Sequence, residues 1–155
     1  MIPYKITTFR VQLRLTDAPP RTIHSSADAV QVLRAIYTDL DADQEHACLL
    51  SLNHAHDIHG YKLLASGHMD ATQVDFKLLF RAAFALEATA IILCHNHPSG
   101  RASPSPSDQR LTTKLRRASQ LLDLSLLDHI ILGHTTYYSF ADSGLLHTAH
   151  PQSAS

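Results

Sequence analysis

The sequence predicts a single α/β sandwich. Three observations carry that expectation. Apolar residues recur at strand spacing and at helical spacing in stretches that alternate along the chain. One short stretch, "TAIILC", is apolar and β-branched without a polar break, as a strand covered on both faces should be. No segment repeats itself, and the 155 residues fit one domain with one core. A chain of this size buries roughly 70% of its unfolded surface.

The elements follow in order. Phe9, Val11, Leu13 and Leu15 alternate with Arg10, Gln12 and Arg14, the period of a half-buried strand. "DAPPR" breaks the chain, because proline cannot continue a sheet ladder. Ser25 or Ser26 suits an N-cap, and Ala29, Leu33, Ile36 and Leu40 follow at helical spacing, so a helix is expected over 27–41. "HACLLSLN" reads as a strand and "HDIHGYKLLASG" as its hairpin partner. Residues 73–87 are apolar on most faces, which suggests a helix sandwiched between layers. After "TAIILC", a helix from Ser107 to about Asp123 buries Leu111, Leu115, Ala118 and Leu122. "LSLLDHIILG" and "YYSF" are two further strands, and residues 147–155 read as a disordered tail. Residues 1–44, an N-terminal strand and helix, belong with 45–146 in one domain.

Composition narrows the function classes. A formal net charge of −1 exerts no global pull toward nucleic acid or an anionic membrane. No stretch offers the ~18 apolar residues of a membrane span, and the first residues lack a continuous apolar signal region. Cys48 and Cys94 each sit within an apolar run, as buried free thiols in a reducing compartment do. A cytoplasmic location is the expectation. The compositional anomaly is the count of 12 histidines.

Two of them lie in the loop "HNHPSGRASPSPSD", residues 95–108. The loop leaves the carboxyl end of the buried strand, the usual place for a site in an open α/β sheet. If strand geometry persists, His95 and His97 project to one side and Asn96 to the other. "PSG" turns the chain, and "SPSPS" keeps it extended until a helix begins. Asp108 falls in that helix's first turn, where exposed N–H groups favour a carboxylate. Two His and one Asp supply three ligands for Zn²⁺ and leave a fourth position for water, the open arrangement of a catalytic site. Among so many histidines the spacing also arises by chance. His54 and His56 repeat it in a hairpin loop with no acid to complete a set, and read as solvated turn residues.

His95-x-His97, then Ser105 and Asp108, matches the JAMM (MPN⁺) metal motif in full. With "AIILCHNHPSG", "SPSPSD" and "LLDHIILG", residues 45–146 resemble the RadC-like branch of the JAB domain. The resemblance implies a cytidine-deaminase-like α/β sandwich, with a mixed central sheet flanked by helices. It implies a zinc-dependent hydrolase of peptide or isopeptide bonds, with His95, His97 and Asp108 as zinc ligands. Ser105 would then donate a hydrogen bond to the tetrahedral intermediate. The family also needs an upstream glutamate, and Glu45, heading "EHACLLSLN", fits that position. Its role would be to take a proton from the attacking water and return it to the leaving amine. From the residues alone Glu45 merely closes the acidic run Asp39, Asp41, Asp43.

This chain departs from the pattern twice. Arg101 and Ala102 follow "PSG" where RadC-like chains read Asp-Pro, and Lys77-Leu78 stands where an Arg-Glu pair opens the apolar helix. Neither touches a ligand position, so substrate preference is what they put at issue. Longer family members add an N-terminal helix-hairpin-helix element that binds DNA, and no such element is expected here.

Two other features need partners. Arg110, Lys114 and Arg117 share a helix face within residues 101–117, which hold five basic residues against one acidic. That stripe is either a solvated face or a weak contact for a phosphate backbone or acidic peptide. Asp128-His129 lies in an apolar strand and must be satisfied, beside a metal ligand or within the core. The string His-Asn-His is not an HNH nuclease motif, whose residues are spread over a ββα unit. A zinc nucleobase deaminase would need His-x-Glu and Pro-Cys-x-x-Cys, which are absent. The alternative to a hydrolase is a non-catalytic accessory protein, associated with DNA repair or recombination, that keeps the JAB fold.

Overall fold

Ser25 opens the first helix of the structure, a computed structural model that describes residues 18–67 and 74–146. The strand expected around Phe9–Leu15 and the tail 147–155 lie outside the described residues. The Ser25 hydroxyl accepts from the Asp28 N–H at 3.2 Å, which caps α1, Ser26–Tyr37. The helix stops before the expected residue 41. Thr38 and the acids Asp39 and Asp41 follow Tyr37, and negative side chains oppose the partial charge at a helix C-terminus.

The expected hairpin is β1, Glu45–Leu52, antiparallel to β2, Ile58–Gly67. In its turn the Asn53 side-chain oxygen accepts from Ala55 and Asp57 N–H, both at 2.9 Å. His54 and His56 are exposed there, as expected of turn residues. Asp75 caps α2, Phe76–Ala85, accepting from the Lys77 N–H at 2.8 Å. β3, Ala90–Asn96, leads through the loop to α3, Pro106–Leu121, and then to β4, Ser125–Leu132, and β5, Tyr137–Ser139.

The five strands form one mixed sheet in the order β2-β1-β3-β4-β5. β3 is central, antiparallel to β1 and parallel to β4, with α3 as the connection. Alternation along β3 sorts its side chains between two cores. Ile92 and Cys94 join Ala29, Val30 and Leu33 of α1 on one face. Ile91 and Leu93 join Leu79 and Ala83 of α2 and Leu111 and Leu115 of α3 on the other. Each such side chain contributes about 1.5–3 kcal/mol by leaving water. Cys48 and Cys94 are cross-strand neighbours and buried free thiols; burial pushes the Cys48 thiol up to about 12.

Two helix faces differ from expectation. α2 is an outer layer, not an inner one: only Leu79 and Ala83 are buried, and Phe84 is 50% exposed. Phe76, Phe80 and Phe84, one turn apart, pack along each other at 6.0 and 6.5 Å instead of entering a second layer. α3 buries Asp108, Leu111, Thr112, Leu115 and Ser119, while Leu122 is 42% exposed and Ala118 only partly covered. The face is set by Asp108 pointing inward, which carries Thr112 and Ser119 with it at helical spacing.

Candidate metal centre

The site is assembled at the carboxyl end of β3. His95 is 4% exposed and lies opposite Ala47 in the β1 register. Glu45 heads β1 two residues before Ala47 and so points its side chain to the same face of the sheet. Asn96 projects to the other side and ties the two strand ends together. Its side-chain oxygen accepts from the His46 N–H at 2.7 Å, and its amide donates to the Gln44 carbonyl at 2.8 Å. Those contacts bracket Glu45 and fix the backbone that presents it.

The loop is held by its turn. The His97 N–H donates to the Leu132 carbonyl, and the Gly100 N–H closes the turn on the His97 carbonyl, both at 2.9 Å. Gly100 has φ +81°, and a Cβ there would sit 2.5 Å from His134 Nδ1. The chain then runs extended to Ser105, the N-cap of α3, with Pro106 starting the helix. Ser105 Oγ accepts from the Asp108 N–H at 3.1 Å, and Asp108 Oδ2 accepts from the Ser105 N–H at 2.7 Å. This reciprocal capping box turns Asp108, 1% exposed, back toward the histidines.

Three groups converge. His95 Nε2 lies 3.0 Å from His97 Nε2 and 3.1 Å from Asp108 Oδ1, while His97 Nε2 is 3.3 Å from Asp108 Oδ2. Glu45 Oε1 stands further off, 4.0 Å from His95 Nε2, and its side chain is 17% exposed. Glu45, His95 and His97 can also bring one ligand atom each within 4.8 Å of one another. The two carboxylates therefore compete as third ligand, and Asp108 is the nearer. His97 Nδ1 donates to the Arg101 carbonyl at 2.9 Å, since a carbonyl can only accept. A neutral His97 consequently aims the bare lone pair of Nε2 at the cluster.

The charges agree with that picture. Burial alone would raise the Asp108 carboxyl, but the imidazoles of His95 and His97 and the Ser105 N–H hold it well below the usual carboxylate range. Asp108 in turn raises the pKa of His97 against the opposing effect of burial. Burial keeps His129 neutral, its pKa driven well below the ordinary imidazole value. With both imidazoles neutral, their Nε2 lone pairs and the carboxylate repel one another unless a shared proton or a metal cation lies between them. The donor set fits a divalent metal of the zinc type.

Asp128 and His129 part company. Asp128 faces the α1 side, where Ser139 Oγ donates to it at 2.5 Å and the Ala141 N–H at 3.0 Å. His129 faces the site and meets His95 Nδ1 at 2.9 Å. Thr112, which sequence reasoning missed, lies 2.6 Å from His129 Nδ1. Its signal was the spacing of four residues from Asp108, which places both on one helix face. The Arg101 departure is explained as well, because the site uses its carbonyl and leaves its side chain exposed. Arg110, Lys114 and Arg117 are exposed along α3; Arg110 reaches Ser107 Oγ at 3.0 Å, and Lys114 stands 5.1 Å over the Phe76 ring. A cleft of about 320 Å³ opens beside His97, walled by Arg34, Tyr37, Asn96 and the Gly133–His134 turn.

The family profile of the RadC-like JAB domain matches residues 23–145. This chain belongs to the RadC-like JAB domain family. The match starts at residue 23, so α1 is part of the family's domain along with the strands that carry the motif. A UPF0758 protein of Flavobacterium johnsoniae is 38% identical over 125 residues, covering 81% of this chain and 54% of the relative. One from Porphyromonas gingivalis is 36% identical, covering 94% of this chain and 67% of the relative. One from Pelodictyon phaeoclathratiforme is 41% identical, covering 68% and 48%. The chain thus spans about half the length of most of these RadC-like relatives. Among the described residues, no helix is long and apolar enough to cross a membrane.

Proposed function

We propose that this RadC-like JAB chain is a zinc-dependent hydrolase of the JAMM type, cutting a peptide or isopeptide bond in a protein substrate. The observation that carries the reading is the convergence of His95 Nε2, His97 Nε2 and the Asp108 carboxylate within 3.0–3.3 Å, beneath a second carboxylate. His95, His97 and Asp108 would hold the metal. When bound, zinc supplies Lewis acidity and a water whose pKa falls to about 7.

The remaining work falls to the chain's own groups. Glu45, at 4.0 Å from His95 Nε2 and partly exposed, stands far enough back to leave room for a water and near enough to take its proton. The same carboxyl then returns the proton to the leaving nitrogen. The Ser105 hydroxyl uses a lone pair in the helix cap and so keeps its hydrogen for a carbonyl oxygen developing charge. Buried Asp108 is held by its capping box, and His97 by the Arg101 carbonyl, so neither must reorganise to bind.

The test has two parts. Elemental analysis should find one zinc per wild-type chain and a clear loss in His97→Ala; equal zinc in both overturns the metal assignment. Glu45→Gln keeps shape and polarity but cannot accept a proton. Zinc content and thermal stability should stay near wild type, while turnover of a peptide found by library screening falls at least ~10²-fold. A variant that cleaves as fast as wild type removes Glu45 from the chemistry and leaves the metal site standing.

A further inference from the structure

Behind His95 runs a chain of hydrogen bonds whose direction can be worked out from its far end. Thr112 Oγ1 lies 2.7 Å from the Asp108 backbone carbonyl. Two oxygens approach that closely only with a proton between them, and a carbonyl has none to give. The threonine's single hydroxyl hydrogen is therefore spent on Asp108. Its oxygen can only accept from His129 Nδ1, 2.6 Å away, so His129 carries its proton on Nδ1. His129 Nε2 is then a bare acceptor, and the 2.9 Å contact with His95 Nδ1 requires His95 to donate. The His95 proton on this side is thus fixed on Nδ1, and Nε2, 3.1 Å from Asp108 Oδ1, is the atom left to exchange its hydrogen bond for a metal. The path is closed off from water: His129 is 0% and Thr112 3% exposed. Phe140, itself 1% exposed, stacks on the His129 ring at 4.9 Å and 4°, fixing its plane.

We propose that Thr112 and His129 form a tautomer lock, positioning residues that hold a proton on His95 Nδ1 and so commit Nε2, the atom facing Asp108, to the metal. The inference rests on reading His95 as a ligand and adds what makes it competent. Its anchor is the backbone of Asp108, the third ligand's own residue, so β3, β4 and α3 are joined in one ring of contacts. Without the threonine hydroxyl, His129 Nδ1 has no acceptor. The proton would move to His129 Nε2, which would donate to His95 Nδ1 and leave the His95 proton on Nε2, where it blocks coordination. A ligand histidine usually donates its second N–H to a carboxylate, a carbonyl or water. Here a second buried histidine takes that role and makes the tautomer depend on a hydroxyl two residues removed.

Two-bond ¹H–¹⁵N spectra of ¹⁵N-histidine-labelled, zinc-free protein read the tautomers directly. Wild type should show a proton on Nδ1 of both His95 and His129; a bare Nδ1 on either overturns the lock, with no variant needed. Thr112→Val, isosteric without the hydroxyl, should switch both rings to Nε2–H. Its affinity for Zn²⁺, measured against a chromophoric chelator, should fall ~10–100-fold. Thr112→Ser should restore tautomer and affinity together. Loss of affinity in Thr112→Val with unchanged tautomers, or equal loss in Thr112→Ser, assigns Thr112 a packing role and overturns the proposal. Should wild type bind no zinc, the metal reading fails by itself, while the zinc-free spectra still decide the lock. Wild-type zinc binding with the wrong tautomers fails the lock alone.

Discussion

Ser105 holds two assignments at once, and substitution can separate them. As N-cap of α3 its oxygen accepts the Asp108 N–H at 3.1 Å; as a proposed catalytic donor it offers its hydrogen to substrate. Ser105→Ala removes both. The lost cap costs about 1 kcal/mol, within a range of about 0.5–2. In a domain of this size that lowers Tm by about 2–4 °C. The other half of the capping box, Ser105 N–H to Asp108 Oδ2 at 2.7 Å, is backbone-donated and survives, so Asp108 should stay aimed at the histidines. Zinc retention should therefore change little. Removing a positioned donor to a developing oxyanion costs about 10²–10³ in kcat. Ser105→Thr keeps cap and hydroxyl and should recover both stability and turnover. Ser105→Gly should cost only a few tenths of a kcal/mol in the cap yet lose the full kinetic factor. Thermal denaturation, zinc content and steady-state turnover on the same preparations make the comparison. If Ser105→Ala turns over at the wild-type rate once folded, Ser105 is a helix cap and nothing more.

Asp128 should make stability fall as pH rises. Burial pushes its carboxyl up to about 6, overcoming the hydrogen bonds from Ser139 and Ala141, against 3.8 when unfolded. A raised folded pKa contributes stability below about pH 4 that is lost through pH 6, worth up to about 3 kcal/mol. Asp128→Asn lacks this titration, so its stability relative to wild type should climb between pH 4 and 7 in denaturant melts; a difference flat with pH refutes the assignment. The loop after β3 supplies another contrast. A Cβ on Gly100 meets the exposed side chain of His134, which can swing away, whereas one on Gly133 meets the Gly100 backbone oxygen at 2.5 Å. Gly100→Ala should cost about 1–2 kcal/mol from its positive φ. Gly133→Ala should cost more and also weaken zinc retention by displacing the turn. Equal melting temperatures for the two would mean that the loop gives way freely.

What the amino-acid sequence determined by itself was local. The unbroken run in "TAIILC" marked β3 as buried, because a strand covered on both faces has no use for alternation. The serine pair Ser25–Ser26 marked the start of α1, because a hydroxyl there satisfies helix N–H groups that nothing else can reach; the structure gives the cap to Ser25. Strand, tight turn, cap and first helical turn lie within fourteen consecutive residues, so His95, His97 and Asp108 could be read as one site, and the structure brings them within 3.3 Å. Where the outcome depended on what packs against what, local pattern failed. The run over 73–87 looked fit for the middle of a sandwich, but the sheet and α3 cover only one side of α2, and its phenylalanines settled along one another. Asp128 and His129 are adjacent in sequence and serve opposite faces of the sheet, because strand side chains alternate and only sheet order decides what lies on each side. Glu45 reaches the site through the register of β1 on β3, fifty residues away in the chain and clamped by Asn96. Thr112 shares a helix face with Asp108, but nothing local gives that spacing a use. Its hydroxyl has meaning only once α3 lies over β4, where a buried histidine needs an acceptor and the helix can supply one.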